Sequence, residues 1–351
     1  MSRITVCMVI VAMLVSMGVA LAQEGLEGTC WYDRMCIMGY FDARYLMYED
    51  SSRDDAFDFR RMYVTIKGDV NDRTTGIITL SRVGGQGPNI DLYNAFVDYK
   101  VGDQWAVQVG QVPTWFGLEA WEGSPARLPL ERARILEGAA AGGVEGFYWQ
   151  GAPDRGLWLR RNPAGSEPLV IIGVCNGQFR EGEMNPDKNI SLDLKWARDW
   201  GMFGASWFDG KFSRMEGDPA VEVKTDRNAV AAYVRYFPNP WGLQAEWADG
   251  ELLGRDRNGY YLQGMYKTDT GTAFARWEEY TAKAPNMIDV DQVGVGDTDY
   301  DALHLGYVWV LDEANEITAE YVDATRTAGP VHERMDYGDS YGGVQWRFAF
   351  K

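Results

Sequence analysis

Hydrophobic and polar residues alternate with a period of two in segments of about ten residues, from one end of the chain to the other. The range 190–196 is the clearest case, because its even positions are apolar and its odd positions are polar. Successive side chains of a β-strand point to opposite faces, so this period predicts strands. A strand covered on both faces would be apolar throughout, whereas the clearest of these segments are apolar on one face only.

Sixteen such segments follow one another, and the connections between them are alternately short and long. The predicted strands are 35–48, 57–70, 73–83, 90–101, 104–112, 154–162, 167–177, 188–198, 201–210, 227–237, 241–249, 258–268, 271–281, 301–311, 315–325 and 341–350. Short connections of two to four residues alternate with longer ones, such as 113–153, 211–226 and 326–340. Bacterial outer-membrane barrels have short periplasmic turns, long extracellular loops and an even strand number. The sequence therefore predicts an all-β fold, a transmembrane antiparallel up-and-down β-barrel of about 16 strands.

Two segments refine this count. Residues 144–149 also resemble a strand, but counting them would reverse the order of every later connection, so we assign them to the long connection. The last segment alternates aromatic and other residues and stops one residue before the C-terminus. Such a segment suits a closing strand that leaves the barrel without a free edge.

The first 22 residues have the features of a secretory signal peptide. Arg3 precedes an apolar stretch at 4–17, and Ala20-Leu21-Ala22 is a small-x-small cleavage pattern. The predicted organisation is a signal peptide at 1–22, a short N-terminal lead at 23–34 and a single barrel domain at 35–351. We therefore expect export across the inner membrane and a location in the bacterial outer membrane, with membrane lipid and lipopolysaccharide as partners.

Composition and short motifs narrow the function classes. The formal net charge of −17 argues against nucleic-acid binding. With only two histidines and four cysteines, no metal-ligand framework is present, and we expect no metal and no cofactor. Cys30 and Cys36 lie close together in a compartment that permits disulfides, and the sequence leaves open whether they are bonded. The range 338–342 matches G-x-S-x-G but lacks the following helix and later histidine of a nucleophile elbow, so no enzyme is predicted.

Three stretches resemble the phosphate-selective porins of the O and P type, a family of Gram-negative outer-membrane β-barrels. They are Phe59–Asp69, which ends in Lys-Gly-Asp, Ile90–Tyr99 with the Val-Gly-Gln of 109–111, and Pro129–Ala133, which contains Glu-Arg-Ala. The detailed resemblance covers roughly residues 57–135 and keeps the order and spacing of the family's motifs. It implies a homotrimer of sixteen-stranded barrels with a long third loop folded into the lumen. The connection 113–153 lies where that loop belongs.

Family members that select anions do so with a ladder of arginines and a ring of basic residues at the constriction. The resemblance makes six residues of this loop candidates for the constriction: Arg127, Arg132, Arg134, Glu119, Glu122 and Glu131. Only Arg132 and Glu131 fall within a stretch that matches the family. With three arginines and five glutamates, the loop has a net charge of −2, which departs from a basic ring. Since rings of charge decide which ion passes, the choice between anions and cations stays open.

The polar face of each strand is expected to line a water-filled lumen, because a basic residue on the lipid face would cost about 2–4 kcal/mol at mid-bilayer. The candidate lumen-lining residues are Arg61, Lys67, Asp98, Lys100, Asp193, Lys195, Arg235, Glu246, Arg276 and Arg347. Acids and bases mixed around such a wall would produce a transverse field that orients polar solutes.

These features predict an outer-membrane porin, a passive diffusion channel for small hydrophilic solutes or inorganic ions, with anions such as phosphate among the candidates. One alternative is a secreted or periplasmic all-β protein that binds or cleaves carbohydrate. The alternation of short and long connections favours the porin, and no carboxylate pair stands out as a glycosidase site. A second alternative is a structural barrel without conductance, which the sequence does not separate from a porin.

Overall fold

The computed structural model describes residues 34–49, 54–83, 90–119, 122, 126–136, 147, 153–177, 186–216, 221–252, 254–283, 297–329, 335–338 and 340–350. These ranges contain eighteen β-strands: β1 (Met35–Tyr48), β2 (Ala56–Asn71), β3 (Thr74–Val83), β4 (Asp91–Lys100), β5 (Trp105–Pro113), β6 (Pro153–Arg161), β7 (Leu169–Cys175), β8 (Asn189–Arg198), β9 (Gly201–Asp209), β10 (Lys211–Glu216), β11 (Val221–Tyr236), β12 (Trp241–Leu252), β13 (Arg255–Lys267), β14 (Gly271–Ala282), β15 (Asp297–Val310), β16 (Asn315–Gly329), β17 (Met335–Gly338) and β18 (Tyr341–Phe350). No helix among the described residues is long and apolar enough to cross a membrane.

All eighteen strands belong to one antiparallel sheet that closes on itself. With the exceptions of β9–β10 and β17–β18, neighbours along the chain pair with each other, and β18 returns to pair with β1 from Gly39↔Phe350 to Tyr48↔Tyr341. The short strand β10 continues β9 past Gly210, and β17 precedes β18 on the same side of β16. The barrel wall is therefore made of sixteen strands, and closure satisfies the backbone groups that a sheet edge would leave unpaired.

The sixteen predicted barrel strands are confirmed, and the main differences lie at the ends where the long loops begin. The range 211–226 was expected as a loop, but Lys211–Glu216 pairs with residues 221–226 as a hairpin. Likewise β16 runs to Gly329 and pairs with β17 inside the predicted connection 326–340. The expectation was wrong there because two aligned antiparallel strands extend their ladder wherever each further pair satisfies backbone hydrogen bonds. Of residues 144–149, only Phe147 is described.

The two faces of the wall differ as the alternation predicts. The outward face carries exposed large apolar side chains all around the barrel, including Leu92, Val109, Leu157, Leu262 and Trp346. Aromatic pairs lie on this wall near the short turns, such as Trp241 with Tyr266, whose ring centroids are 4.5 Å apart, and Trp196 with Phe203 at 5.3 Å. Apolar exposure of this extent suits a lipid environment, where aromatic residues collect at the two interfaces.

The inward face combines charged residues with a region of small apolar ones. Small buried residues occupy inward positions there: Ala229, Ala231, Ala248, Ala282, Ala302 and Ala324. They form one buried cluster with apolar residues of the connection between β5 and β6, among them Phe116, Ile135, Leu136 and Phe147. Because each alanine has a side chain of a single carbon, these strands leave room for the connection to pack inside the wall.

Candidate functional site

The connection between β5 and β6, hereafter the third loop, begins by attaching to the far wall. The backbone N–H of Gly117 donates to Ser206 Oγ on β9 at 2.9 Å. The next two N–H groups, of Leu118 and Glu119, donate to the carboxylate of Glu246 on β12 at 2.7 and 3.2 Å. Gly117 has φ 70°, and a Cβ there would run into the Glu246 carboxylate, so this close approach requires glycine.

The second half of the third loop is held by two further carboxylates. The N–H of Leu130 donates to Glu320 on β16 at 2.7 Å, and the N–H of Arg134 donates to Glu278 on β14 at 3.0 Å. His304 on β15 lies between these two glutamates, with its ring nitrogens 2.7 Å from Glu320 and 3.0 Å from Glu278. The imidazole therefore orients both carboxylates toward the loop.

The same part of the loop reaches the wall formed by β1 and β2, where Glu131 meets three arginines. Its Oε1 lies 2.5 Å from Arg44 Nη1 and 2.5 Å from Arg60 Nε, and its Oε2 lies 2.9 Å from Arg60 Nη2 and 2.8 Å from Arg61 Nη2. We name Arg44, Arg60 and Arg61 the arginine cluster. Asp58 also accepts from Arg44, at 3.1 Å.

A bulge in β2 makes this arrangement possible. Adjacent residues of a strand normally point to opposite faces, so Arg60 and Arg61 should not both point inward. The pairing of β1 with β2 shifts register between Asp42 and Ala43, where Asp42 faces Arg61 and Ala43 faces Phe59. Arg60 is the extra residue, and the bulge turns its side chain toward Glu131.

The electrostatics of the arginine cluster keep Glu131 ionised. Burial alone would raise the pKa of Glu131, but the positive charges of Arg60, Arg61 and Arg44 hold that pKa well below its ordinary value. Burial raises the pKa of Glu122, which the guanidinium of Arg235 opposes only in part. Both groups lie on the third loop, outside the membrane-spanning strands.

The two other candidate acids of the loop also pair with arginines of the wall. Glu119 forms an ion pair with Arg276 on β14, and both side chains are buried. Glu122 receives two hydrogen bonds from Arg235 on β11, one of them at 2.6 Å. The loop thus contacts β1, β2, β9, β11, β12, β14 and β16. Since β2 and β9 stand about half the circumference apart in the strand order, the described part of the loop spans the interior.

The three candidate arginines of the loop occupy different surroundings. Arg132 donates from Nε to the backbone oxygen of Glu119 at 2.9 Å, so it braces the loop itself. The Arg134 guanidinium lies 4.7 Å from the centre of the Tyr300 ring. Arg127 is buried beside a cavity of about 500 Å³ at the short-turn end, which Lys267 and Gln263 also line. The three arginines therefore do not form one cluster.

Most of the candidate lumen-lining residues lie buried at inward positions and are engaged with neighbours. Arg61, Arg235, Glu246 and Arg276 hold the loop as described, and Lys195 is half-buried. The other contacts are Asp98 with Gln108 at 2.8 Å and Arg160 at 3.0 Å, Asp193 with Ser206 at 2.6 Å, and Arg347 with Asp42 at 2.7 Å and Glu316 at 2.6 Å. Lys67 and Lys100 are exposed, and Lys100 donates to the backbone oxygen of Asp72 at 3.2 Å.

Three of these residues, Arg44, Arg60 and His304, are not among the site residues predicted from the sequence. The alternation of Asp42 and Arg44 with apolar neighbours in β1 is a signal that could have found Arg44, whereas the bulge that turns Arg60 inward has no sequence signal. Cys36 is exposed and has no disulfide within the described residues, and Cys30 lies outside them. No group of three or more metal-ligating side chains occurs in the described part of the chain.

The fold and the loop inside it define a class: a closed, sixteen-stranded transmembrane β-barrel of porin architecture, with an apolar outer face and a charged interior. The family resemblance is confirmed as well, because residues 37–199 match the family described as phosphate-selective porin O and P. That range covers β1 to β8. No curated protein matches this sequence.

Solved structures of similar shape are outer-membrane proteins. The chain is similar to in-vitro folded OmpT of Vibrio cholerae in its trimer form, with TM-score 0.62 and 12% identity over 90% of this chain and 99% of that one. It is similar to an anion-selective porin from Comamonas acidovorans, with TM-score 0.60 and 16% identity over 90% and 99% of the two chains. It is also similar to Salmonella typhi OmpF in complex with daunomycin, with TM-score 0.64 and 12% identity over 90% of this chain and 97% of that one.

Proposed function

We propose that the chain is an outer-membrane porin, a passive diffusion channel for small hydrophilic solutes or inorganic ions that does no covalent chemistry. The observation that carries this proposal is the contrast between the two faces of one closed wall. The outer face exposes apolar side chains to lipid, and the inner face carries acids and bases that a third loop bridges. This contrast favours a porin over the secreted carbohydrate-binding alternative, whose exterior would be polar.

The contacts of the inward acids support a role in positioning the loop. Glu246, Glu278 and Glu320 each accept a backbone N–H of the third loop, and Glu119 and Glu131 each pair with an arginine of the wall. A catalytic acid or base needs access to the proton that it transfers. These carboxylates instead hold the third loop inside the barrel, which supports a role in shaping a diffusion path.

A second candidate function is selectivity for anions such as phosphate. The arginine cluster favours it, because three guanidiniums beside one another match the oxygens of an oxyanion. The loop's net charge of −2 opposes it. We therefore expect the wild-type channel to discriminate weakly between anions and cations.

We further propose that the porin is a homotrimer in the bacterial outer membrane, exported by the signal peptide at 1–22 and in contact with outer-membrane lipid and lipopolysaccharide. The family resemblance supports the trimer, and the similar OmpT of Vibrio cholerae has a trimer form. Sizing after mild detergent extraction tests the assembly, and a protein that runs as a monomer under those conditions would contradict it.

Planar-bilayer conductance of the purified protein tests the function. We expect discrete current steps and, in a salt gradient, a reversal potential near zero. A strong anion preference would support the phosphate-selective candidate. Folded, inserted protein that gives no steps would identify a structural barrel instead, and protein that stays soluble and never inserts would contradict the porin altogether.

A further inference from the structure

Glu131 is the only described loop acid that contacts more than one arginine of the wall. The arginine cluster brings three positive charges together, and both carboxylate oxygens of Glu131 lie within hydrogen-bond distance of it. Asp58 pairs with Arg44 at 3.1 Å. The carboxylate of Glu131 offsets part of this positive charge and so removes much of the attraction that the cluster would have for a passing anion.

Glu131 is also more accessible than the three arginines that it contacts. Its side chain is 18% exposed, whereas those of Arg44, Arg60 and Arg61 are 5%, 3% and 1% exposed. An anion that approaches from water therefore meets the carboxylate before it meets a guanidinium. Because like charges repel, Glu131 screens the arginines that lie behind it.

The position of Glu131 is fixed from both sides of its own backbone. The N–H of the preceding residue, Leu130, donates to Glu320 at 2.7 Å, and the Leu130 carbonyl accepts from Arg61 Nη1 at 3.4 Å. Two residues further on, the N–H of Ala133 donates to Glu119 at 3.0 Å. The loop therefore presents the carboxylate to the cluster in a preorganised position, without losing much freedom when the contact forms.

We propose that Glu131 is a specificity-determining residue of the pore, a tethered carboxylate that occupies the oxyanion-binding side of the arginine cluster and suppresses anion selectivity. The inference rests on the proposed channel function. Its physical basis is that a glutamate carboxylate and a free oxyanion offer the same acceptor oxygens to guanidinium groups. A free oxyanion therefore binds the arginine cluster only when the Glu131 carboxylate is absent.

The first test compares reversal potentials in a potassium chloride gradient for wild type, Glu131→Gln, Glu131→Asp and Glu313→Gln. Removing a charge about 4 Å from an ion in a water-filled site changes the free energy of each ion by about 1 kcal/mol, in opposite directions for chloride and potassium, so the ratio of chloride to potassium permeability changes by about thirtyfold. Glu131→Gln should shift the potential toward anions by that amount, and Glu131→Asp should stay near wild type. Glu313 is exposed in the turn between β15 and β16, so Glu313→Gln removes an equal charge away from the cluster and should leave the potential unchanged. Channels with the same potential for Glu131→Gln and wild type would overturn the inference while leaving the porin function intact.

A second measurement does not depend on conductance. The thermal unfolding midpoint of each folded variant is recorded in detergent with and without inorganic phosphate. Phosphate should raise the midpoint of Glu131→Gln and leave wild type and Glu313→Gln unaffected, since ligand binding to the folded state stabilises it. If no variant conducts but this shift appears, the channel function fails and the tethered-carboxylate arrangement stands. An equal response of wild type and Glu131→Gln would overturn the inference.

Glu131→Gln leaves buried arginines without their main partner, so its folding is itself informative. Folding that succeeds only in the presence of phosphate would support the inference, because the free oxyanion then replaces the tethered one. Failure to fold in either medium, while Glu131→Asp folds, would contradict it.

Discussion

Glu246 is the group on which the start of the third loop depends most directly, and its removal gives a sharp test of the loop's attachment. Its carboxylate accepts the N–H groups of Leu118 and Glu119, at 2.7 and 3.2 Å, and the hydroxyl of Tyr261 at 3.1 Å. The Glu246 side chain is buried, at 2% exposure. Glu246→Ala would leave these three donors without their acceptor in a place that water reaches poorly.

The expected magnitude follows from these contacts. A hydrogen bond to a charged group contributes about 1.5–3 kcal/mol, so the two backbone contacts together hold the loop by about 3–6 kcal/mol. Every 1.4 kcal/mol is a factor of ten, and amide exchange at 118–119 should therefore speed up by roughly two to four orders of magnitude in Glu246→Ala. Glu246→Gln keeps one acceptor oxygen and should have a smaller effect. The barrel itself should stay folded, because the strand pairing of β12 is unaffected.

Hydrogen exchange measured by mass spectrometry on the folded protein in detergent micelles provides the assay, read on peptides that cover residues 114–119. Glu279→Ala is the matched control, because Glu279 is exposed on the outward face of β14, where it contacts Trp277 and Tyr260 and not the third loop. Unchanged protection at 118–119 in Glu246→Ala would refute the view that the wall carboxylates hold the loop, as would an equal change in the control.

Two further predictions concern buried charges. Asp154 and Arg227 form an ion pair at 3.2 Å with both side chains at 0% exposure, so Asp154→Ala should lower the free energy of unfolding by about 3–5 kcal/mol. The double variant Asp154→Leu, Arg227→Met leaves no unpaired charge and should lower that free energy far less. Urea unfolding, followed by the heat-modifiable gel shift, measures both losses, and equal losses would contradict the prediction. Because the folded pKa of Glu131 lies below its unfolded value, its stabilisation is complete above the unfolded pKa and is lost only as the pH falls through the lowered one. The difference in urea midpoint between wild type and Glu131→Gln should therefore stay constant from about pH 8 to about pH 5 and narrow only in stronger acid, and a difference that already narrows near neutral pH would be evidence against the described charge state.

The sequence by itself determined the wall of the barrel. Strands such as β8 have their apolar side chains on alternate positions, because one face meets lipid and the other does not. That requirement acts on each strand separately. The order of short and long connections then followed, since neighbouring antiparallel strands need only a tight turn on one side of the membrane. The family motifs between 57 and 135 pointed to the same architecture, and they lie within the range that matches the family.

Only the tertiary structure decided which charges meet. Glu131 is 87 residues from Arg44 along the chain, and Glu119 is 157 residues from Arg276, so no local pattern relates them. The bulge that turns Arg60 inward depends on the register between β1 and β2, and a shift of one residue reverses the face of a side chain. Counting the loop's charges gave −2, but the wall arginines that compensate them could be found only when the barrel had closed around the loop, because Coulomb energy depends on distance in space and not along the chain.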